Sequence, residues 1–331
     1  MDETAAKNKR LQFGNRYLTN KEKVFEHNAW DNVQWSEEQL DAARLKVAEV
    51  AATKADQETR AHFEIEAANY WNKFYDIHTN RFFKDRNWLF VEFPELLPVS
   101  QPTKTTDTED FVTTRDFPGK DGAFRIFEVG CGVGNTILPI LDTNKNPGLY
   151  VYGSDFSSKA VDVLRSHEKF DSARCTVFIC DATADDWQTP FPEGSVDIII
   201  YIFVLSAICP EKFAHVVKQS WNYLKPGGLV LFRDYGRYDM AQLRFKKGRC
   251  LDDNFYVRGD GTRCYFFTQA SSQIRTMCLP GTRARPRILA SAQSSRSASL
   301  RYSLQLPTMM LQSRSTHKNT PIKIRPSLIV I

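Results

Sequence analysis

The sequence lacks the features of a membrane protein, a secreted disulfide framework or a metal site. Its longest apolar run, 198–208, has 11 residues, whereas a membrane-spanning helix needs about 20. The seven cysteines are odd in number and include no C-x-x-C pair, which favours reduced thiols. The first residues, MDETAAKNKR, are charged and contain no apolar segment, so neither a signal peptide nor a mitochondrial presequence is expected. We therefore expect a cytoplasmic protein with no membrane contact and no metal cofactor.

Acidic residues are absent from the last part of the chain. Residues 270–331 contain 10 Lys or Arg and no acid, whereas residues 1–269 contain 34 Lys or Arg and 39 Asp or Glu. This basic tail is rich in Ser, Arg and Pro and has neither helical nor strand periodicity, which predicts a disordered segment. A tail that binds RNA is the functional alternative.

A glycine-rich turn follows an apolar strand in residues 123–135, AFRIFEVGCGVGN. Gly130, Gly132 and Gly134 form a G-x-G-x-G pattern just before a helix-like segment. Glycine lets bare backbone approach a ligand, and the helix start offers unpaired amide donors. A nicotinamide-binding turn requires G-x-G-x-x-G, and here the third glycine comes one residue early. The spacing is similar to the first motif of class I S-adenosylmethionine (AdoMet) methyltransferases, although flavin and nicotinamide proteins also have glycine-rich turns.

Two acidic residues follow the next two predicted strands. LYVYGSDFS contains Asp155, where a carboxylate would accept bonds from both ribose hydroxyls, and CTVFICDAT contains Asp181, placed to accept from an adenine amino group. A solvated carboxylate is the alternative for each residue alone, but two such residues at strand ends favour a ligand site. Further strands at 196–208 and within 222–234 give five strands alternating with helices. This pattern predicts a doubly wound, Rossmann-like α/β domain.

The chain divides into four predicted parts. The boundaries are 1–97 for an N-terminal helical segment, 98–122 for a flexible linker, 123–269 for the AdoMet-binding core with an RNA-facing insertion at 234–269, and 270–331 for the basic tail. Within the first part, residues 36–68 are predicted to be helical, because Ser36 and Gln39 have the spacing of a capping box.

Two segments outside the cofactor motifs, 70–96 and 233–269, combine basic and aromatic residues. The second holds eight Lys or Arg and five Asp. Basic groups contact phosphates and aromatic rings stack on unpaired bases, so both segments favour single-stranded RNA. The alternative is that the aromatic residues pack internally and the charges face solvent. The RNA-contacting candidates are Arg81, Lys84, Arg244, Lys246, Lys247, Arg249 and Arg258.

Seven segments carry a family resemblance: HNAWDNVQWSEEQ (27–39), RFFKDRNWL (81–89), FEVGCGVGN (127–135), SDFSSKAV (154–161), IFVLSAI (202–208), DYGRYDMAQLRFKKG (234–248) and NFYVRGDGTR (254–263). With them the sequence resembles the methyltransferase-like enzymes that form 3-methylcytidine in tRNA anticodon loops. The resemblance covers most of residues 13–269. Within this family, the sequence most resembles the cytosolic branch that acts on threonine and arginine tRNAs.

The resemblance implies a cofactor, a partner and a set of contacts. The cofactor is AdoMet, and the partner is tRNA, with an accessory tRNA-binding protein left open. The implied cofactor contacts, together with Gly130 from the glycine turn, are Trp71, Tyr75, Gly132, Asp155, Asp181, Ala182 and Ile202. Family members continue beyond the position of Gln269 with a helix and two strands that close the sheet. Residues 270–331 show no such pattern, so we expect these strands to be missing or replaced.

The expected reaction defines the catalytic candidates. Ring nitrogen N3 of cytosine carries an in-plane lone pair and is mostly unprotonated at neutral pH, so the enzyme must extrude the base, align it and exclude water. A carboxylate would stabilise the positive charge that the base acquires, and Asp234 with its neighbour Tyr235 is the candidate. Arg86 is expected to donate to the cytosine carbonyl oxygen, with a phosphate contact or a salt bridge with the neighbours of Asp85 as its alternative. Phe82 or Phe83 is expected to wall the base.

The sequence therefore predicts a tRNA methyltransferase that modifies cytosine N3 at position 32. Two alternatives stay open at this point. One is a methyltransferase for a small molecule or a protein, which would not need the basic aromatic segments. The other is a C-terminally altered, inactive isoform that binds AdoMet or RNA without turnover.

Overall fold

The computed structural model describes residues 36–98 and 116–268, together with the backbone of strands 287–293 and 302–304. Segment 27–35 of the family resemblance and residues 99–115 of the predicted linker lie outside the described residues. The helices are α1 (Glu37–Ala51), α2 (Gln57–Ile65), α3 (Ala67–His78), α4 (Leu89–Glu92), α5 (Ile137–Thr143), α6 (Ser158–Arg165), α7 (Phe213–Tyr223) and α8 (Met240–Leu243). The strands are β1 (Phe124–Val129), β2 (Leu149–Asp155), β3 (Cys175–Ile179), β4 (Val196–Ile202), β5 (Leu224–Tyr235), β6 (Cys250–Asp252), β7 (Phe255–Val257), β8 (Arg263–Tyr265), β9 (Arg287–Gln293) and β10 (Tyr302–Leu304).

The main sheet has the strand order β10-β9-β5-β4-β1-β2-β3. Strands β1 to β5 run parallel to their neighbours. From β3 to β5 this is the order of a doubly wound fold, and the order reverses between β1 and β4. Sheets of this kind bind ligands beyond the carboxyl ends of the strands at that reversal. The predicted fold class is confirmed, and the glycine turn that follows β1 lies at this position.

The sheet continues beyond β5. Strand β9 pairs with β5 in parallel over its whole length, and β10 pairs with β9 in antiparallel orientation. Of the two expectations for the closing strands, that they are missing or that they are replaced, the first is therefore wrong, because 287–293 and 302–304 extend the sheet beyond β5. A sheet edge offers unpaired backbone groups to any segment that can lie beside it, so side-chain periodicity was a poor guide here. The remainder of this tail lies outside the described residues.

Apolar side chains cover both faces of the sheet. On β1, Phe127 packs with Trp187 on one face, while Ile126 packs with Ile140 on the other. Both faces are buried, and for this reason the central strands are nearly continuous apolar runs rather than alternating patterns.

The predicted helix 36–68 is interrupted. The capping box of Ser36 and Gln39 is present at the start of α1. After α1 the chain leaves the helix, and the backbone N–H of Ala55 donates to the carbonyl oxygen of Cys250 at 2.8 Å. This contact with a strand nearly 200 residues away competes with helix continuation, and local sequence cannot reveal it.

The last residues of the predicted linker are fixed to the core. Arg125 donates from Nε to the carbonyl oxygen of Gly119 at 2.9 Å, and its guanidinium lies 5.4 Å from the centre of the Phe117 ring. The flexible-linker prediction is therefore wrong for residues 116–122. The apolar ring of Phe117 and the short turn at Gly119 give the arginine side chain two contacts that hold this stretch against β1.

The insertion after β5 forms a small antiparallel sheet in the order β6-β7-β8. Its aromatic side chains Phe255, Tyr256, Phe266 and Phe267 are buried. The prediction that the insertion's aromatic residues stack on RNA bases is wrong for these four. They form the core that holds the small sheet against the rest of the domain, as the packing alternative predicted.

No helix within residues 36–98 or 116–268 combines the length and apolar character needed to cross a membrane. The same residues contain no group of three or more His, Cys, Asp or Glu side chains that could hold a metal ion.

Candidate active site

A cavity of about 470 Å³ opens at the carboxyl ends of β1, β2, β4 and β5. Helix α3 and the loop between β7 and β8 also contribute to its wall. A volume of this size is typical of small-ligand sites. The wall contains all eight positions predicted to contact the cofactor: Trp71, Tyr75, Gly130, Gly132, Asp155, Asp181, Ala182 and Ile202.

The glycine turn after β1 brings bare backbone to this wall. Gly130, Gly132 and Gly134 have φ angles of 66°, 51° and 89°, a region that costs other residues strain. A Cβ atom on Gly132 would lie 2.6 Å from the hydroxyl oxygen of Tyr75. Only glycine therefore leaves the space between the turn and α3 open.

Asp155 ends β2 and joins the turn to the start of α6. Its Oδ2 accepts the backbone N–H of Gly132 and its Oδ1 accepts that of Ser157, each at 2.9 Å. Burial raises the pKa of this carboxyl to about 6, although the backbone donors oppose the rise. Each carboxylate oxygen has a second lone pair, so the side chain can still accept two ligand hydroxyls.

Asp181 is more exposed than Asp155 and lies two residues beyond the end of β3. Its Oδ1 accepts the backbone N–H of Thr183 at 2.8 Å. The neighbouring Ala182 is held by its carbonyl oxygen, which accepts from Trp187 Nε1 at 3.1 Å. Ile202 is buried at the end of β4 and supplies an apolar surface to the same wall.

Trp71 and Tyr75 project from one face of α3 into the cavity. Their rings are stacked with centres 5.9 Å apart. Burial raises the pKa of Tyr75 well above its ordinary value, so the phenol is neutral at physiological pH. The hydroxyl of Ser157 donates to Asn72 Oδ1 at 2.7 Å, which ties α3 to the start of α6.

The loop before α4 is anchored to the end of the glycine turn. Asn135 donates from Nδ2 to Asp85 Oδ1 at 3.2 Å, and its carbonyl oxygen accepts the backbone N–H of Arg86 at 2.8 Å. Arg86 Nη1 donates to Thr136 Oγ1 at 2.7 Å and to Glu128 Oε1 at 3.5 Å. Burial raises the pKa of Glu128 to about 8, although Arg86 opposes this. Arg86 thus lies within ion-pair distance of Glu128, a partner that the sequence reasoning did not name, and its side chain also lines the cavity.

The remaining catalytic candidates occupy different depths. Phe82 is 54 % exposed at the rim, and Phe83 is more buried; both line the cavity. Tyr235 also lines it, and burial raises its pKa to about 12.

Asp234 is buried beneath this wall and is 1 % exposed. Its Oδ2 accepts the backbone N–H of Ser206 and its Oδ1 accepts that of Tyr235, each at 2.9 Å. Burial raises its pKa to about 6. Asp234 therefore lies one residue layer from the cavity rather than on its surface.

Six of the seven predicted RNA-contacting cations are exposed. These six are Arg81, Lys84, Arg244, Lys246, Lys247 and Arg249. Lys247 lies 3.3 Å from Glu49 of α1, which places its loop between α1 and the small sheet. Arg258 differs from the others because it lines the cavity, with its guanidinium 5.6 Å from the centre of the Tyr235 ring.

Sequence reasoning missed two parts of the wall. Phe203 lines the cavity and follows β4 directly. Its position after the carboxyl end of a central strand could have predicted this, because such folds bind ligands there. The second part is a charged corner in which Glu64 pairs with Arg263 and with Lys212, the latter at 2.6 Å. No signal could have found this corner, because its residues come from α2, the small sheet and the loop before α7.

The doubly wound sheet, the glycine turn after β1 and the acidic residue that ends β2 define a class I AdoMet-dependent methyltransferase. The cavity fits AdoMet because Gly132 leaves the space that a Cβ would fill and because Asp155 retains lone pairs for ribose hydroxyls. The neutral rings of Trp71 and Tyr75 suit a sulfonium cation.

Comparison with known proteins identifies the family. Residues 127–230 match a family model described as a methyltransferase domain. A tRNA N(3)-cytidine methyltransferase of Xenopus tropicalis is 53% identical over 276 residues, which cover 79% of this chain and 82% of that protein. A tRNA N(3)-cytidine methyltransferase of Homo sapiens is 47% identical over 312 residues, which cover 79% of this chain and 82% of that protein. A tRNA N(3)-methylcytidine methyltransferase of Schizosaccharomyces pombe is 40% identical over 256 residues, covering 77% of each. The chain belongs to the tRNA N(3)-cytidine methyltransferase family.

Proposed function

We propose that this chain transfers a methyl group from AdoMet to N3 of the cytosine at position 32 in the anticodon loop of tRNA. The family supports the reaction, because its members are named for cytidine N3 methylation of tRNA. The observation that carries the proposal is one cavity wall that combines the eight cofactor positions with Phe82, Arg86 and Tyr235.

Residues of the chain bind and orient the cofactor in this proposal. Asp155 accepts the ribose hydroxyls, and Asp181 accepts the adenine amino group. The backbone of Gly130 and Gly132 contacts the amino acid part, while Trp71 packs over it. Bound AdoMet supplies an electrophilic methyl group on a sulfonium. Water is excluded from this region by Ile202 and by the aromatic side of α3.

The cytosine is extruded from its stack and held with its N3 lone pair in line with the methyl carbon. Phe82 walls the base at the rim of the cavity. Arg86 uses Nη1 for both of its side-chain bonds within the described part of the chain, so Nη2 and Nε can donate to the cytosine carbonyl oxygen. No general base is required, because N3 carries no proton at neutral pH.

Asp234 stabilises the positive charge that the methylated cytosine acquires. Its burial lowers the local dielectric, so a carboxylate one layer below the wall acts on the cavity more strongly than it would in water. The hydrogen bonds to Ser206 and Tyr235 fix the position of this charge. Asp234 and Tyr235 thus form one unit, with the charge below and the ring at the surface.

The exposed cations contact the phosphates of the anticodon stem and loop. Arg81 and Lys84 flank the rim residue Phe82, and Lys246, Lys247 and Arg249 extend the positive surface beside the small sheet. Threonine and arginine tRNAs are the proposed substrates, and an accessory tRNA-binding protein is part of the proposal. Free thiols at the six cysteines of the described residues fit a cytoplasmic location.

Nucleoside mass spectrometry after incubation with AdoMet and unmodified threonine, arginine or serine tRNA tests this function. We expect 3-methylcytidine in threonine and arginine tRNA, lost in Asp155→Ala. Methylation of a small molecule or protein, with none of tRNA, would establish the other class of methyltransferase. An inactive isoform would bind AdoMet in calorimetry yet leave every tRNA unmodified, with or without cell extract as a source of the accessory protein.

A further inference from the structure

Phe203 adopts a backbone conformation that aromatic residues rarely accept. Its φ is +58°, in the left-handed region that favours glycine and asparagine. In the described part of the chain three other non-glycine residues have positive φ, namely Thr79, Tyr238 and Asn254, and none of them lines the cavity. Phe203 does line it. Strain of this kind persists where the surrounding structure imposes it, and it concentrates at functional sites.

The end of β5 imposes this conformation. The backbone N–H of Phe203 donates to the carbonyl oxygen of Arg233 at 2.8 Å. Three residues later, the N–H of Ser206 donates to the Asp234 carboxylate at 2.9 Å. These two bonds clamp the turn after β4 on both sides of the bend, and the bend directs the Phe203 side chain to the cavity wall.

The ring of Phe203 forms a corner with two other cavity residues. Its centre lies 4.8 Å from that of Tyr235, with the ring planes tilted by 44°. The guanidinium carbon of Arg86 lies over this ring, 5.8 Å from its centre. A base that enters this corner would meet an aromatic ring for its plane and a hydrogen-bond donor for its carbonyl edge, the two kinds of contact that hold an unstacked base.

We propose that Phe203 stacks on the extruded cytosine and fixes the plane of the base, so that the N3 lone pair meets the methyl group in line. This proposal rests on the proposed function. A flat base in a cavity can rotate out of alignment unless one of its faces is held. Misalignment lowers the rate of methyl transfer and leaves the affinity for the cofactor unchanged. The clamp from β5 keeps the ring in place without help from the substrate.

Phe203→Asn removes the ring but keeps the backbone conformation, because asparagine accepts positive φ and has no aromatic ring. Phe203→Tyr keeps the ring, and Phe170→Leu removes a half-buried ring that does not line the cavity. We expect Phe203→Asn to lower the single-turnover rate by about 10- to 100-fold, while the variant stays folded and its AdoMet affinity stays within about twofold. Phe203→Tyr and Phe170→Leu are expected to keep most of the rate.

A fluorescent base reports the contact directly. Threonine tRNA with pyrrolocytidine at position 32 should be quenched in the complex with the wild-type protein, because the ring stacks on the base. The same tRNA should be brighter when bound to Phe203→Asn. An active wild-type protein together with an unchanged rate in Phe203→Asn overturns the proposal, as does a parallel loss of AdoMet affinity. A wild-type protein that never methylates tRNA overturns the proposed function itself, and this inference with it.

Discussion

The backbone N–H of Gly132 donates a 2.9 Å hydrogen bond to Asp155 across 23 residues of sequence. This bond joins the turn after β1 to the end of the neighbouring strand β2, so the two halves of the predicted cofactor site hold each other in place. It also explains why a buried carboxyl with a pKa of about 6 can be accommodated: the backbone donors partly offset the cost of burial. The cofactor affinity should depend on this relationship.

The affinity for AdoMet should fall at acidic pH. Burial raises the pKa of Asp155 to about 6 in the ligand-free protein, whereas the ribose hydroxyls need an ionised acceptor. Below pH 6 a proton must therefore leave on binding, and the dissociation constant should rise about tenfold per pH unit. Above pH 7 it should be flat. Calorimetry between pH 5 and 8 measures this dependence.

The three other raised pKa values closest to Asp155 do not produce the same pH dependence. Burial raises the pKa of Tyr75 and of Cys131 well above ordinary values and that of Glu128 to about 8, so none of these titrates between pH 5 and 6. Asp155→Asn should weaken binding and remove the acidic slope, whereas Asp181→Asn should weaken binding and keep it. A slope that survives in Asp155→Asn would assign the titration to another residue.

Gly132→Ala should abolish measurable AdoMet binding. The added Cβ would lie 2.6 Å from the Tyr75 hydroxyl and would occupy the space beside the turn. Gly227→Ala is the matched control, since Gly227 also has positive φ, +77°, but no atom lies within 4 Å of its Cβ position. Both variants should lose roughly 1–2 kcal/mol of stability through backbone strain, and only Gly132→Ala should lose binding. Equal affinities in the two variants would remove Gly132 from the site.

Asp234→Asn should lower kcat by about 10²–10³ with little change in AdoMet affinity, the effect of losing one preorganised electrostatic group. Asp197→Asn is a control at the opposite end of the sheet, where the carboxylate accepts the backbone N–H of Arg125 at 2.8 Å and pairs with Lys225. That variant should lose stability without this loss of rate. A normal single-turnover rate in Asp234→Asn, or a parallel loss of cofactor binding, contradicts the electrostatic role.

Neutralising Lys246, Lys247 and Arg249 together should make tRNA binding less sensitive to salt, with the slope reduced by about one for each lost phosphate contact. Lys120→Ala with Lys145→Ala removes exposed cations at the amino ends of β1 and β2 and should leave the slope unchanged. Fluorescence anisotropy at several salt concentrations measures both. If only deletion of 270–331 lowers the slope, the tail is the RNA-binding element.

Glu92→Ala should destabilise the fold by about 3–5 kcal/mol, because it leaves the charge of Arg233 buried without this carboxylate partner. The pair is 2.8 Å apart, and Arg233 is 2 % exposed beside the Trp88 ring. Lys145→Ala breaks an exposed pair with Asp142 and should leave stability within error. Urea denaturation compares the two. A small loss in Glu92→Ala would mean that other groups around Arg233 compensate its charge.

Local pattern was sufficient for the parts of the protein that depend on local physics. Apolar runs specified the central strands, the capping box specified the start of α1, and the glycine spacing with Asp155 specified the cofactor edge of the sheet. Each of these signals lies within one element or its end, where strand burial, helix capping and the turn requirement for glycine act directly on the sequence. Gly130, Gly132, Asp155 and Asp181 could be proposed from such signals, whereas the family resemblance was needed to propose the other four cofactor positions, Trp71, Tyr75, Ala182 and Ile202.

Only the tertiary structure decided which residues complete the cavity. The bend at Phe203 exists because Arg233 and Asp234 of another strand clamp it, and Asp234 lies below the wall for the same reason. The break after α1 and the pairing of β9 with β5 likewise come from backbone contacts between distant segments. Such contacts depend on where the fold brings two stretches together, and backbone hydrogen bonds carry almost no signature in the side chains that a sequence displays.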